Sequence, residues 1–230
     1  MTYYSLKQSV KMFITKLIGK YFPISFARSG DDLQVYKLLN SASPGVYLDI
    51  GSWHPIKASN TYFFYLRNWK GICIDPNPEL TSLFKKYRPK DIFINAGIGP
   101  SDSNLNYYMF QNSSMNTFSD AFIHANQLQD KIKKTIKVPL LSIKEILDER
   151  LQPHDRLDFF DIDVEGLDLQ VLQTNDWEKY RPKVILIESD LSLKDDIISE
   201  LTSYLESKNY KFIGKTIISN DLGNLIFIPN

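Results

Sequence analysis

The chain has 230 residues, 43% hydrophobic and 23% charged, which suits one globular α/β domain of ordinary size with room for a decorated edge. Lysine plus arginine and aspartate plus glutamate both number 27, so no net field draws the protein to nucleic acid. No stretch approaches the roughly 20 apolar residues that cross a bilayer, and the single cysteine, Cys73, cannot form an intrachain disulfide, which points to a reducing, cytoplasmic setting.

Residues 1–23 carry Leu6, Val10, Phe13, Ile14, Leu17 and Ile18 at helical spacing, with Lys7, Lys11, Lys16 and Lys20 between them. They lack the unbroken apolar centre and small-residue cleavage site of a signal peptide. Two readings stand: a helix packed on the domain or on a second subunit of a homo-oligomer, and a helix lying on a membrane surface as a peripheral contact. A second helix starts at Asp31 or Asp32, so residues 1–40 form a helical lead-in and 41–230 the main domain.

Val46 to Ile50 reads as a buried strand that stops at Gly51, followed by the polar turn Ser52-Trp53-His54-Pro55 and a helix signalled by Ser59-Asn60-Thr61. An acid inside the strand end and one close-approach glycine suit a small cationic ligand better than a pyrophosphate, which needs Gly-x-Gly-x-x-Gly. The second strand, Ile72 to Ile74, closes at Asp75, and Asn77-Pro78-Glu79 opens the next helix, ending near Tyr87-Arg88-Pro89. Ile92 to Ala96 is a third strand, ending at Gly97 and Gly99, and Leu105 to Phe110 a fourth extended piece at an edge. Gln111 to Lys134, with a helix through Ala121 to Lys131, reads either as a substrate lid or as an ordinary surface insertion. Ile136 to Leu141 is extended, and Ser142 caps a short helix through Leu147. Leu157 to Asp163 and Lys183 to Ile187 are strands, the first running into Val164-Glu165-Gly166 and a helix, the second closing at Glu188 before a helix from Asp195 to Leu205. Lys211 to Ser219 and Leu225 to Ile228 form an antiparallel hairpin. Alternating strands and helices with a terminal hairpin predict a three-layer α/β sandwich, a Rossmann-like doubly wound sheet. The appended antiparallel strand is typical of methyltransferases that use S-adenosylmethionine.

Acids or small residues end successive strands at Asp49-Gly51, Asp75, Ala96-Gly97, Asp163 with Glu165, and Glu188, and a doubly wound sheet turns all those ends to one edge. Buried carboxylates there require cationic or hydrogen-bonding partners, which predicts a ligand site. Asp75 is placed to accept hydrogen bonds from ribose hydroxyls. For Asp163, Glu165 and Glu188 two readings compete. One is general-base catalysis on a hydroxyl, by a carboxylate or by His54. The other is a divalent Mg or Mn site on Asp163 and Glu188 that lowers the hydroxyl's pKa. His54 is equally well read as a hydrogen-bonded turn residue beside Pro55. No His-x-x-x-His, Cys-x-x-Cys or Gly-x-Ser-x-Gly supports a zinc hydrolase or serine esterase.

Tyr47-Leu48-Asp49-Ile50-Gly51, Ser59-Asn60-Thr61-Tyr62, Gly71-Ile72-Cys73-Ile74-Asp75-Pro76, Asn95-Ala96-Gly97-Ile98 and Ile162-Asp163-Val164-Glu165-Gly166 resemble the FkbM family, class I S-adenosylmethionine-dependent methyltransferases that act mostly on hydroxyls of sugars and natural products. The resemblance runs from about Ser29 to Glu188, and Ile-Asp-Val-Glu-Gly is its most specific element. It implies that Asp49, Gly51 and Ser52 hold the methionine part of the cofactor, that Asp75 binds ribose, that Ala96, Gly97 and Ile98 flank adenine, and that Asp163 and Glu165 lie near the transferred methyl. Ser52-Trp53-His54-Pro55 departs from the commoner Ala-Asn-x-Gly turn, which makes His54 a subgroup feature, and Asp161 stands where an uncharged or basic residue is more usual. The expected activity is O-methylation of a sugar hydroxyl, on a nucleotide sugar or glycan precursor, in surface polysaccharide or natural-product biosynthesis. The alternatives are a non-catalytic S-adenosylmethionine-binding module and a methyltransferase of a protein or nucleic-acid substrate.

Overall fold

The computed structural model describes residues 21–40, 43–100, 104–164 and 166–230. The expected amphipathic helix of residues 1–23 lies almost wholly outside the described residues, and Glu165 lies outside them too. No helix among the described residues is long and apolar enough to cross a membrane.

A seven-stranded sheet organises the chain in the order β3-β2-β1-β7-β8-β10-β9. Its parallel part comprises β1 (Val46–Ile50), β2 (Lys70–Ile74), β3 (Ile92–Ile94), β7 (Leu157–Ile162) and β8 (Val184–Ser189). The hairpin β9 (Tyr210–Ser219) and β10 (Leu222–Pro229) closes the far edge, with β10 antiparallel to both β8 and β9. Side chains alternate between the two faces of each strand. Leu48, Ile50, Phe160, Ile162, Ile185 and Ile187 meet α5 (Ile143–Arg150), α6 (Asp168–Gln173) and α8 (Glu200–Ser207) on one face. On the other face Tyr47, Cys73, Phe159 and Leu186 meet α1 (Asp31–Leu38), α2 (Tyr62–Leu66) and α3 (Leu80–Tyr87). Val35 of α1 is fully buried in that second cluster, so residues 31–40 share the core of the main domain. The architecture is the doubly wound three-layer sandwich expected from the sequence.

Three local departures have physical causes. The third strand stops at Ile94, and β4 (Gly97–Ile98) leaves the main sheet to pair with β6 (Ile132–Leu141). The expected edge piece, β5 (Asn104–Phe110), also pairs with β6, giving a separate three-stranded sheet β4-β6-β5. Leaving the main sheet lets Tyr107, Met109 and Val138 build a small core of their own. The helix expected through Lys131 is α4 (Asp120–Ala125), capped by Ser119, followed by a short 3-10 turn. The helix expected from Asp195 to Leu205 is likewise two, α7 (Leu193–Ile197) and α8, because the Ser199 hydroxyl accepts from Thr202 N–H and starts a new helix.

Candidate active site

One cleft of about 270 Å³ lies at the carboxyl ends of the parallel strands. It is lined by Asp49, Gly51, Ser52, Asp75, Ala96, Gly97, Ile98, Asp163 and Glu188, so the structure brings together nearly every residue singled out in the sequence. Among the described residues His54 is the exception. Its Nδ1 accepts from the N–H groups of Ile56 and Lys57, both at 3.0 Å, and it does not line the cleft. Burial and neighbouring Lys57 lower its pKa, as expected for an imidazole held neutral inside a turn.

The β1 end shows what the strand-end acids are held by. Asp49 accepts from the Thr61 hydroxyl, and its carboxylate lies 3.7 Å from Nη1 of the fully buried Arg88. Arg88 also donates through Nε to Asp91 at 2.6 Å, through Nη2 to the Tyr47 hydroxyl at 2.6 Å and through Nη1 to Thr61 Oγ1 at 3.0 Å. The Tyr47 hydroxyl donates in turn to Asp91 at 2.8 Å. The cation expected near Asp49 is therefore, in the first place, one of the chain's own. Gly51 is similar. Its φ of +84° and the carbonyl oxygen of Asp163, 1.8 Å from where a Cβ would stand, require glycine, so the group that approaches closely is the backbone of the next strand. The Ser52 hydroxyl bridges the ends of β1 and β2, donating to Asp49 O at 2.8 Å and accepting from Ile74 N–H at 3.1 Å.

Asp75 closes β2 with its carboxylate facing the cleft. Oδ2 accepts from Trp53 N–H at 3.0 Å and Oδ1 from Asn77 N–H at 2.8 Å. Burial nevertheless raises its pKa to about 7, against those two hydrogen bonds. Trp53 stands at φ +34°, a conformation rare for a bulky residue, held from both ends by this bond and by Nε1 donating to Ser113 at 3.2 Å. Ser113 belongs to the loop read as a lid. Its residues Ser113, Ser114, Asn116, Thr117 and Phe118 form one wall of the cleft, beside Gly97.

Asp161 lies directly across from Asp49 in the β1–β7 register. It accepts from Asn60 Nδ2 at 3.0 Å, and burial together with the neighbouring Asp49 charge raises its pKa well above the carboxylate range. Burial raises Asp49 as well, opposed by Arg88. Because Ile162 pairs with Ile187, Asp163 and Glu188 occupy the next position on adjacent strands, side by side at the cleft. Asp168 fixes the turn that follows, accepting from Val164 N–H at 3.3 Å and Gly166 N–H at 3.2 Å; burial raises its pKa to about 6. Glu165, expected near the reacting group, lies outside the described residues. Among the described residues no group of three or more His, Cys, Asp or Glu side chains is disposed to hold a metal ion, so the Mg or Mn site on Asp163 and Glu188 finds no donor set here.

Five acidic side chains line the cleft among the described residues, with Arg28 the one guanidinium in the lining. Asp49 is already paired with Arg88, and burial raises the pKa values of Asp49, Asp75 and Asp161, so the lining carries less negative charge than that count. A carboxylate at the end of β2 and the apolar side chains of Ala96 and Ile98 line this crevice, which lies at the carboxyl edge of a Rossmann-like sheet, where such folds bind their ligands.

The methyltransferase FkbM domain matches residues 49–212, more than half of the chain. The protein belongs to the FkbM family of S-adenosylmethionine-dependent methyltransferases. No curated protein matches it. Among solved structures it is similar to a precorrin-6y C5,15-methyltransferase from Geobacter metallireducens, with 12% identity over 86% of this chain and 88% of the other and a TM-score of 0.48. It is also similar to the 1,6-didemethyltoxoflavin-N1-methyltransferase of Burkholderia thailandensis, solved with S-adenosylhomocysteine, with 11% identity over 98% and 88% and a TM-score of 0.46.

Proposed function

We propose that the protein transfers the methyl group of S-adenosylmethionine to a hydroxyl of a sugar, on a nucleotide sugar or glycan precursor of surface polysaccharide or natural-product biosynthesis. The observation that carries this reading is the continuous cleft that joins the Asp75 end to the adjacent carboxylates of Asp163 and Glu188.

The residues present fit the cofactor. Asp75 accepts from ribose hydroxyls, Ala96 and Ile98 offer apolar faces to adenine beside Gly97, and the acid-lined β1 end suits the positive charges of the methionine part, with Asp49, Gly51 and Ser52 shaping it. When bound, the cofactor supplies an electrophilic methyl group for in-line displacement. The chain's contribution is alignment together with a base. Asp163 or Glu188 takes the proton of the attacking hydroxyl, a contribution typically worth 10²–10⁴ in rate. Asp163 is well supported for this, since its backbone is fixed by N–H donation to Ile50 O at 3.0 Å and by the close fit against Gly51. The wall formed by Ser113 to Phe118, tied to Trp53, screens the reacting groups from water.

The test begins with calorimetric titration of the purified protein with S-adenosylmethionine, and with NAD as the control. Micromolar binding of the first alone is expected. Methyl transfer is then measured across nucleotide sugars, free glycosides, peptides and nucleic acid. Transfer to a peptide or nucleic acid and to no sugar overturns the acceptor assignment, and cofactor binding without transfer to any of them favours a non-catalytic module.

A further inference from the structure

We propose that Arg28 is the specificity-determining residue for the acceptor, and that it binds an anionic group, a phosphate or a carboxylate, carried by that acceptor. The inference rests on the reading of the cleft as a methyl-transfer site and adds the charge of the molecule that enters it.

Arg28 supplies the only cationic side chain that lines the cleft among the described residues. It lines the same cleft as Asp49, Asp161, Asp163 and Glu188, yet it makes no ion pair or hydrogen bond with any described residue. Exposed arginines without partners are ordinary on a surface, but this one is presented by a built loop. On one side of it the carboxylate of the buried Asp32 accepts from Ser25 Oγ at 2.6 Å, Phe26 N–H at 2.7 Å and Ala27 N–H at 3.4 Å. On the other side Ser29 Oγ donates to the buried Asp31 at 2.5 Å, and the Thr216 hydroxyl of β9 donates to the same carboxylate. The Phe26 ring packs edge-on against Tyr62 at 4.8 Å. The backbone is thus fixed before and after Arg28, while its own five N–H donors remain available to a ligand. A guanidinium fork matches a carboxylate or phosphate oxygen pair better than any other group a small acceptor carries.

The placement favours the acceptor over the cofactor. Thr216 anchors the loop to β9, and Asn224 of the neighbouring β10 lines the same end of the cleft, across from Glu188. In the order β2-β1-β7-β8-β10-β9, strands about 4.8 Å apart put β10 about 14 Å from β1. The cofactor's residues lie at β1, β2 and β4; Asp163 and Glu188 lie between those strands and β10. The loop of Arg28 spans from Tyr62 of α2 to Thr216 of β9. An acceptor whose hydroxyl reaches Asp163 or Glu188 and whose body extends to the β9–β10 side, where Ile218 and Asn224 line the cleft, therefore passes under that loop.

The test uses the full chain saturated with S-adenosylhomocysteine, titrated with inorganic pyrophosphate and, separately, with glucuronate, in wild type, Arg28→Met and Arg28→Lys. Wild type is expected to bind one of the two. Arg28→Met is expected to weaken it about ten- to hundredfold and Arg28→Lys to recover part of the loss. Pyrophosphate as the better probe assigns the anion to a nucleotide sugar, glucuronate to an acidic sugar. Absence of binding by either up to about 10 mM, or equal affinity in Arg28→Met, overturns the proposal. So does an Arg28→Met protein that loses affinity for S-adenosylhomocysteine but not for 5′-methylthioadenosine, because Arg28 then holds the cofactor's own carboxylate. In the transfer assay, neutral glycosides methylated as well as anionic ones overturn the role of Arg28 and leave the sugar assignment standing. Arg28-dependent anion binding without transfer to any sugar does the reverse.

Discussion

Replacing Arg88 by methionine tests how the β1 end is built. The guanidinium is fully buried and joins Asp49, Asp91, Tyr47 and Thr61, and methionine keeps most of its volume while removing the charge. Two carboxylates are then buried without their cation, a loss that typically costs about 3–5 kcal/mol. At roughly 2–4 °C per kcal/mol for a chain of this size, the melting temperature should fall by about 6–20 °C. The loss should depend on pH. Burial already raises the Asp49 pKa and Arg88 opposes it, so without Arg88 the carboxyl rises further. A carboxyl raised in the folded state favours folding below its unfolded pKa, near 4, and that benefit disappears as pH climbs through the folded value. The variant should therefore lie closest to wild type near pH 5 and furthest from it near pH 8. Urea unfolding and thermal melts at both pH values provide the measurement. A variant within 2 °C of wild type at pH 8, or a deficit that does not change with pH, would refute the role given to the buried network.

Asp75→Asn should weaken S-adenosylmethionine binding, and its pH dependence is a second check. Because the free carboxyl titrates at about 7 and ribose hydroxyls favour its ionised form, wild-type affinity should fall below pH 7 and level off above it, and the variant should lose that slope. The same raised pKa means that stability falls as pH rises from about 4 to about 7, so the cofactor-free wild type should melt lower at pH 8 than at pH 5 by a margin that the variant lacks. Gly51→Ala should abolish folding or cofactor binding, since its Cβ would lie 1.8 Å from Asp163 O at φ +84°, whereas Gly166→Ala at φ +87° meets nothing within 4 Å and should cost only about 1–2 kcal/mol. Equal behaviour of the two glycine variants in a melt would contradict the close packing of β1 on β7. Asp163→Asn and Glu188→Gln should each retain cofactor affinity, and the one that removes the base should lower kcat about 10²-fold or more; an unchanged kcat in both would place the base elsewhere.

The succession of strands and helices along the chain and the common edge were legible because their signals are local. Apolar runs of three or four residues end at Asp49, Asp75 and Glu188, and a turn rich in Asn and Gly joins the hairpin strands. What could not be read were partners distant in the chain. Asn60 meets Asp161 across 101 residues, and Arg88 meets Tyr47 across 41. Arg88 in particular follows a helix whose last turn holds Lys85 and Lys86, so it reads as one more exposed charge at a helix end. The departure of β4 from the main sheet was hidden for a related reason, since Ile92 to Ile98 is continuous in sequence and only the pairing with β6 divides it.

The same distinction sorts the acids of the cleft. The demand that a buried carboxylate find a partner held at every position where the partner could be traced, and the partners differ. Asp49 has Thr61 and Arg88, and Asp161 has Asn60, so these two acids, paired within the strands, complete the end of the sheet. Asp75 is held by backbone N–H groups of the two turns that flank it, Trp53 and Asn77, which fixes its direction toward the cleft without supplying a cation. Asp163 lies one position beyond the last paired residue of β7, and Glu188 one position beyond the last β7–β8 pair, although β8 goes on to pair Glu188 with Asn224 of β10. Asp49 and Asp161, inside the β1–β7 pairing, are thus held by the chain's own side chains, whereas Asp75, Asp163 and Glu188 lie at or past the last parallel pair. The proposed chemistry is accordingly placed on Asp163 and Glu188, with Asp49 supporting it indirectly.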